Sequence, residues 1–127
     1  MGGFGRSAEM EPNQKKFRIK SKDIEQLIPP MGGCLASDHI VVDGKEVGYM
    51  MREEPSDSLS SGWIFMSGDE TQEYADDAAN WSIYEVNTIC NYDRAIIPYL
   101  DSKSGTAFGR DLGAEGFQEE PVYPLGG

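Results

Sequence analysis

The apolar runs of this sequence are short, and their length limits the possible folds more than any other feature. None approaches the roughly 20 consecutive apolar residues that a membrane-spanning helix needs. The most apolar run covers residues 62–66 and predicts a short strand near the centre of a sheet. At 127 residues the chain has room for one domain of ordinary size.

Turn residues divide the other β-rich segments. Residues 35–42 and 45–52 flank an Asp-Gly dipeptide, which favours a two-residue hairpin turn, so these two runs are predicted to pair as strands. A further strand is predicted over residues 106–110, and an edge strand near residues 117–122.

Capping residues predict short helices. Ser21 is a candidate N-cap for a helix over residues 22–28. A serine followed three positions later by a glutamate indicates a capping box, and this pattern occurs at 67–70 and at 82–85. The first box is predicted to open a short helical turn, and the second a helix that ends near residue 91.

The order of these elements is hairpin, strand, helices and strand, which is typical of an α+β fold rather than of alternating parallel units. We therefore expect a single small α+β domain with a mainly antiparallel sheet and a few short helices.

Acidic residues are concentrated in one block. The chain has 22 acidic and 11 basic residues, and ten of the acids lie between Glu53 and Asp93, where there is no Lys or Arg. Such a field repels the phosphates of nucleic acids and anionic membrane surfaces, so neither is an expected partner. It attracts cationic proteins. The alternative is that the excess acid only keeps the protein soluble.

Cysteine usage and the lack of a recognisable secretory signal predict a cytoplasmic protein. Cys34 and Cys90 have apolar or small neighbours and are expected to be buried free thiols. His39, predicted within the first strand, is interpreted as a surface or half-buried structural residue. A catalytic couple with Cys34 is the alternative, but no basic residue flanks Cys34 to lower its thiol pKa.

Motifs typical of enzymes are missing from the sequence. It has no nucleophile elbow, no phosphate-binding Gly-Lys-Ser/Thr loop and no dinucleotide fingerprint. The clustered carboxylates leave three interpretations open: a hard-cation site, a glycosidase-like pair, or a solvated acidic face. The EF-hand pattern is missing and a deep sugar cleft is hard to build at this length, so no catalytic, cofactor or metal residues are predicted.

Aromatic residues alternate with the acidic block. Rings framed by carboxylates suit contact with a basic protein, because the rings supply area and the charges supply attraction. The alternative for Trp63 and Tyr84 is a place in the core. The predicted partner-binding residues are Trp63, Asp69, Glu70, Glu73, Asp76, Asp77 and Trp81.

Several short motifs occur in order along the chain. They are Gly-Cys-Leu-Ala-Ser-Asp at 33–38, Val-Asp-Gly-Lys at 42–45, Val-Gly-Tyr-Met at 47–50, Arg-Glu-Glu-Pro at 52–55, Ser-Gly-Trp-Ile-Phe at 61–65, Ser-Gly-Asp-Glu at 67–70, Asn-Thr-Ile at 87–89 and Asn-Tyr-Asp at 91–93, with Phe108 and Arg110. Together they resemble a bacterial family first described as a domain of unknown function and later grouped as an immunity-protein-like (immunity protein thirty-three-like) domain. The resemblance covers residues 31–111, which are expected to form the domain. Outside it lie residues 1–30, interpreted as an N-terminal leader with a short helix, and residues 112–127, a C-terminal extension, and the role of both segments stays open.

The resemblance also implies a function. Members of the family are similar to small cytoplasmic proteins of polymorphic toxin systems, in which an immunity protein binds and silences its cognate toxin. Many members stand alone, and the family has no established catalytic residues. We therefore expect a non-enzymatic, cofactor-free monomer or homodimer that neutralises a basic toxin through an acidic face. The alternatives are a stand-alone accessory or ligand-binding domain, and a small enzyme of unknown reaction. The motif at 67–70 is either functional or only a helix cap.

Overall fold

A six-stranded sheet organises the computed structural model, which describes residues 15–111 and 113–121. The strands are β1 (Gly33–Ser37), β2 (Tyr49–Arg52), β3 (Ser60–Met66), β4 (Trp81–Glu85), β5 (Ala107–Gly109) and β6 (Gln118–Glu120). The helices are α1 (Asp38–Val41), α2 (Gln72–Ala75) and α3 (Val86–Tyr92), with 3₁₀ turns at Ser21–Asp23, Ala78–Asn80 and Arg94–Tyr99. None of the helices in these ranges is long and apolar enough to cross a membrane.

The strand order across the sheet is β4-β1-β3-β2-β5-β6. The β1–β3 pair is parallel and the other four pairs are antiparallel. The predicted α+β class with a mainly antiparallel sheet is therefore confirmed, as is the inner position of β3, which lies between β1 and β2. The strands predicted at 106–110 and near 117–122 correspond to β5 and β6, although residue 122 lies outside the described residues.

The two faces of the sheet differ in their covering. One face carries Trp63 and Phe65 of β3 and packs against α1 and α3, where Ile40 and Ile89 are fully buried. The opposite face carries a smaller cluster that includes Met51 and the neighbouring strands' Ile64 and Ala107. Alternation along each strand places successive side chains on these two faces. Cys34 and Cys90 lie in the larger cluster as buried free thiols, as predicted.

The predicted hairpin over residues 35–52 is wrong. The strand β1 ends at Ser37, α1 follows at once, and β3 separates β1 from β2 in the sheet. The Asp-Gly dipeptide closes α1 instead: Gly44 has φ 78° and its N–H donates to the carbonyl of Ile40. A left-handed glycine suits a helix C-terminus as well as a hairpin. Burial of Ile40 and Val41 favours the helix, and His39 therefore lies in α1 and not in a strand.

The helix predicted over residues 22–28 is also wrong. Only the 3₁₀ turn Ser21–Asp23 forms. The N–H groups of Leu27 and Ile28 donate to Oδ1 of Asn87 at 2.7 and 3.2 Å, so a side chain of α3 takes the place of helical carbonyls. The following proline at position 29 disfavours helical geometry at Ile28 as well.

The second predicted capping box, at residues 82–85, lies in β4. Its residues pair antiparallel with β1, from Ala36 opposite Ser82 to Gly33 opposite Glu85. The helix α3 begins at Val86, after the strand, and ends at Tyr92, one residue beyond the predicted end. Pairing with β1 therefore overrides the local capping signal.

Candidate functional site

The acidic block divides between the two ends of the sheet. At one end the segment between β3 and β4 carries exposed carboxylates that we call the β3–β4 acidic surface: Asp69, Glu73, Asp76 and Asp77. At the other end the β2–β3 loop and the end of β4 carry a second exposed set, the β2–β3 acidic rim: Glu53, Glu54, Asp57 and Glu85. The seven residues of β3 separate the two ends, a span of about 20 Å.

The carboxylate of Glu70 organises the start of the β3–β4 segment. Its side chain is only 3% exposed. It accepts hydrogen bonds from the Ser37 hydroxyl at 2.6 Å, the Ser67 N–H at 2.9 Å and the Gly68 N–H at 2.9 Å. The bond from the Ser67 N–H is the one that a capping box predicts. No helix begins at Ser67, however, because Thr71 is the N-cap of α2, so the helical turn predicted there is wrong.

Close packing of Gly48, the residue before β2, holds this loop in place. A Cβ on Gly48 would lie 2.0 Å from the carbonyl oxygen of Ser67, so only glycine fits there. The Gly48 N–H donates to the carbonyl of Met66 at 2.9 Å.

Two carboxylates of this loop have perturbed pKa values. Burial opposes ionisation of Glu70, but hydrogen bonds from Ser37, Ser67 and Gly68 outweigh it and lower its pKa. The ammonium of Lys45 and the hydroxyl of Ser67 hold the pKa of Asp69 well below its usual range. The pKa of Lys45 is raised in turn, chiefly by its hydrogen bond to Asp69. Both carboxylates are therefore charged at neutral pH.

His39 joins the same cluster from α1. Its Nδ1 lies 2.9 Å from Oδ1 of Asp69 and 3.2 Å from Oγ of Ser67. Its ring packs against Tyr74 with the centroids 4.1 Å apart. Serine and aspartate meet the same ring nitrogen, whereas a catalytic triad places them on opposite nitrogens. The arrangement therefore orients His39 but does not activate Ser67 as a nucleophile.

A cation could in principle be held by this group. One ligand atom each of His39, Asp69 and Glu70 lies within 4.8 Å of the others. The ligand atoms are already engaged, since the Glu70 carboxylate accepts several hydrogen bonds and Oδ2 of Asp69 is paired with Lys45. The residues fit an internal ion-pair cluster better than the carboxylate-rich coordination of a hard cation.

The other predicted acids remain exposed but are partly engaged. Asp76 accepts from Nε2 of Gln72 at 2.9 Å, and Asp77 caps the following 3₁₀ turn through the Ala79 N–H at 3.0 Å. Glu73 lies on the exposed side of α2. Exposed carboxylates of this kind keep their long-range attraction for a cation.

The structure separates the two predicted tryptophans. Trp63 is 1% exposed and its indole N–H donates to the carbonyl of Leu100 at 3.2 Å, so it lies in the core, the alternative that the sequence left open. Trp81 is half-buried beside the β3–β4 acidic surface, and its indole N–H donates to the carbonyl of Ala75 at 3.0 Å.

A groove of about 960 Å³ runs beside the cluster. Lys45, Asp69, Tyr49 and Arg110 contribute to its walls. Arg110 is fixed there, since its guanidinium pairs with Asp93 and donates to the carbonyl of Val47 at 2.8 Å. No local sequence pattern predicts this groove, because its walls come from loops that are distant along the chain.

Two exposed hydrophobic side chains were also missed by the sequence analysis. Leu59 is 78% exposed and Ile83 is 77% exposed. Leu59 lies in a loop of mostly polar residues, and Ile83 lies in the segment that the capping box at 82–85 predicted as a helix. Both lie at the end of the sheet that carries the β2–β3 acidic rim.

Comparison with known proteins identifies the domain. Neither the curated proteins nor the solved structures include a significant match to this chain. The family model described as the immunity protein Imm33 domain matches residues 34–119, which include all six strands except the first residue of β1 and the last of β6. The match covers more than half of the sequence, and the chain therefore belongs to the Imm33 immunity protein domain family.

Proposed function

We propose that this chain is a cytoplasmic immunity-type protein that neutralises a cognate protein toxin by stoichiometric binding, without catalysis. The observation that carries the proposal is membership of the Imm33 family combined with the exposed acidic residues at both ends of the sheet. An immunity protein works by occupying its target, so it needs a complementary surface and no active site.

The charges on the described residues favour a basic partner. Among these residues, no Lys or Arg forms an ion pair with any member of the β2–β3 acidic rim or with Glu73, Asp76 or Asp77. The negative charge of these seven exposed carboxylates is therefore not neutralised by an ion pair and can attract an approaching protein. Such a field raises the association rate with a cationic partner and weakens as salt screens it.

The β3–β4 acidic surface is proposed to make the contact that the sequence analysis predicted. Unpaired charge comes from Glu73, Asp76 and Asp77. Asp69 lies beside them with its carboxylate paired to Lys45, and Trp81 supplies an aromatic side chain. Glu70 takes part indirectly, because its enclosed carboxylate holds the loop that carries Asp69. Trp63 supports the sheet from inside and does not contact the partner.

Deletion of the gene in the native host tests this function. The deletion strain should die, or lose in co-culture against its parent strain, and a plasmid copy of the gene should restore it. Suppressor mutations should fall in one toxin gene, whose product should bind the purified chain at a fixed stoichiometry. A deletion strain that grows and competes as well as its parent would overturn the proposal.

A second candidate is a ligand-binding role without a toxin. The groove beside Lys45 and Arg110 favours it, because a volume of about 960 Å³ is in the range of small-molecule sites. Thermal denaturation of the purified chain against a panel of anionic metabolites would test it. A stabilisation that disappears in a Lys45→Met variant would favour this candidate over the toxin partner.

A further inference from the structure

The exposed hydrophobic side chains and an open strand edge coincide at one end of the sheet. Leu59 and Ile83 both lie next to Gly33: the Gly33 N–H donates to the carbonyl of Leu59 at 2.8 Å, and a Cβ on Gly33 would lie 3.4 Å from Cγ2 of Ile83. With no side chain on Gly33, a groove of about 320 Å³ remains between them.

The floor of this groove is apolar. Ile83 lies opposite Leu35 in the sheet, and Leu35 lies opposite Ile64 in turn. Leu35 is half-buried and Ile64 is 7% exposed. The row therefore becomes more exposed toward β4, so Ile83 is available to another molecule. We call Leu35, Leu59 and Ile83 the apolar patch.

The strand β4 is an edge without the usual protection. It lies at the end of the strand order and pairs only with β1 among the described strands. Charged residues or prolines normally protect an edge strand from pairing with other chains. Within β4 the only charged residue is Glu85. The opposite edge differs, because β6 carries Glu119 and Glu120 in three residues and Pro121 follows it.

Acidic side chains surround the apolar patch. Glu53, Glu54 and Asp57 line the same groove as Leu59 and Ile83. Glu85 lies at the end of β4, opposite Gly33. An apolar centre with a charged rim is the usual anatomy of a protein-binding surface. Here the rim has one sign, so the complementary surface is basic.

We infer that the apolar patch and the β4 edge bind an extended basic segment of a partner protein, which adds a strand beside β4. This inference rests on the proposed immunity function, and it places the central contact with the toxin at the apolar patch and the β4 edge. Beside β4 an apolar side chain of the segment packs on Ile83, and the end of the segment crosses Gly33 to cover Leu59. Its Lys or Arg side chains meet the β2–β3 acidic rim. Backbone hydrogen bonds supply affinity in this mode, and the pocket supplies specificity.

Charge argues against a second copy of this chain as the occupant. Two copies paired through β4 would bring two acidic rims together, in a chain of net charge −11. Like charges placed opposite each other across an interface oppose association. A basic segment removes this repulsion, so it is the favoured occupant.

A synthetic peptide of alternating Lys and Val, blocked at both ends, provides a defined probe. Its binding to the full chain can be followed by NMR, with shift changes expected in β4 and in residues 53–59. Leu59→Ser combined with Ile83→Thr should weaken binding about tenfold or more, while Gln118→Thr on the opposite edge strand should leave it unchanged. Threonine keeps the β-branched shape of Ile83, and equal thermal denaturation of the variants shows that the fold is intact.

The outcomes of this titration are decisive. Weaker binding of a Lys-Ser peptide and loss of binding by a Glu-Val peptide support the inference. The inference would be overturned if the double variant bound the peptide with equal affinity, or if shift changes were confined to the β3–β4 acidic surface. A dimer through β4 in sedimentation measurements would overturn it as well.

The co-culture assay separates this inference from the proposed function. The wild-type gene, the Leu59→Ser/Ile83→Thr gene and the Gln118→Thr gene are each returned to the deletion strain. Protection by the wild-type and Gln118→Thr genes alone supports both the function and the surface. Equal protection by all three retains the immunity function and overturns the apolar patch as its contact. A deletion strain that needs no protection overturns the function and the inference that rests on it.

Discussion

The hydroxyl of Ser37, at the end of β1, donates a hydrogen bond of 2.6 Å to the carboxylate of Glu70, at the start of the segment between β3 and β4. Ser37 has no exposed surface and the Glu70 side chain is 3% exposed. This bond fastens the loop that carries Asp69 to the edge of the core, so the position of the β3–β4 acidic surface depends on a buried charge.

Replacing Glu70 by Gln should therefore destabilise the fold. The amide has one acceptor oxygen in place of two and would turn its NH₂ group toward donors. We expect a loss of about 1–3 kcal/mol in the free energy of unfolding at pH 7, measured by urea denaturation. Glu73→Gln removes the same charge from an exposed position and should change stability by less than about 0.5 kcal/mol. Equal effects of the two variants would contradict the structural role of Glu70.

The pH dependence of stability gives a second test of the same group. The pKa of Glu70 is lowered in the folded protein, so its contribution is complete above the ordinary glutamate value of about 4.3 and is lost as the pH falls through the lower folded value. The wild-type protein should lose stability below about pH 5 more steeply than Glu70→Gln. Parallel acid limbs for the two proteins, in denaturation curves from pH 3 to 7, would contradict this assignment.

An element could be predicted from the sequence where neighbouring residues decide it, and could not be predicted where contacts distant along the chain decide it. The apolar run that became β3 was recognisable because Trp63 and Phe65 alternate with Ile64 and Met66, and a strand apolar on both faces belongs inside a sheet. The turn at Gly44 was not recognisable, because a left-handed glycine fits a hairpin and a helix end equally well. The choice between them came from long-range packing.

The candidate site could likewise be predicted only where its contacts are local in the sequence. The spacing of Ser67 and Glu70 indicated a carboxylate that binds nearby N–H groups, and it does so. The hydroxyl of Ser37, the imidazole of His39 and the ammonium of Lys45 reach this loop from positions more than twenty residues away. The exposure of Ile83 could not be predicted either, since it depends on β4 lying at the edge of the sheet.

A buried ion pair should contribute strongly to stability. The guanidinium of Arg110 is 4% exposed, pairs with Asp93 and lies 4.5 Å from the centroid of the Phe117 ring. Arg110→Leu leaves the Asp93 carboxylate without its cation, and we expect a loss of about 3–5 kcal/mol in urea denaturation. Adding Asp93→Asn should recover part of this loss. Asp111→Asn, at the exposed neighbouring position, serves as the control, and a loss of similar size there would contradict the pairing.

Asn87 should hold the segment before β1 on the domain. Its Oδ1 accepts from the Leu27 and Ile28 N–H groups, and its Nδ2 donates to the carbonyl of Glu25 at 2.8 Å. Asn87→Ala removes all three bonds and should cost about 1–3 kcal/mol. Hydrogen exchange should accelerate at residues 25–28 more than in β3. Uniform acceleration across the sheet would instead indicate global destabilisation without a tether.

The β3–β4 acidic surface should govern the rate at which the toxin associates. Once suppressor mapping has identified that toxin, a variant carrying Glu73→Gln, Asp76→Asn and Asp77→Asn should bind it about three- to tenfold more slowly at low salt, because long-range attraction acts before contact. Asparagine at position 77 keeps the oxygen that caps the 3₁₀ turn, so the fold should persist.

A matched variant separates local charge from net charge. Asp23→Asn, Glu115→Gln and Glu119→Gln remove the same three charges from exposed positions outside both acidic groups. Stopped-flow association is measured at about 0.05 and 0.5 M salt. Only the β3–β4 variant should show a flattened salt dependence, because it has already lost the attraction for the toxin that salt would otherwise screen. Equal slowing of both variants would mean that total charge, and not this surface, attracts the toxin. Unchanged rates in both would leave dissociation from the apolar patch as the step that sets the affinity.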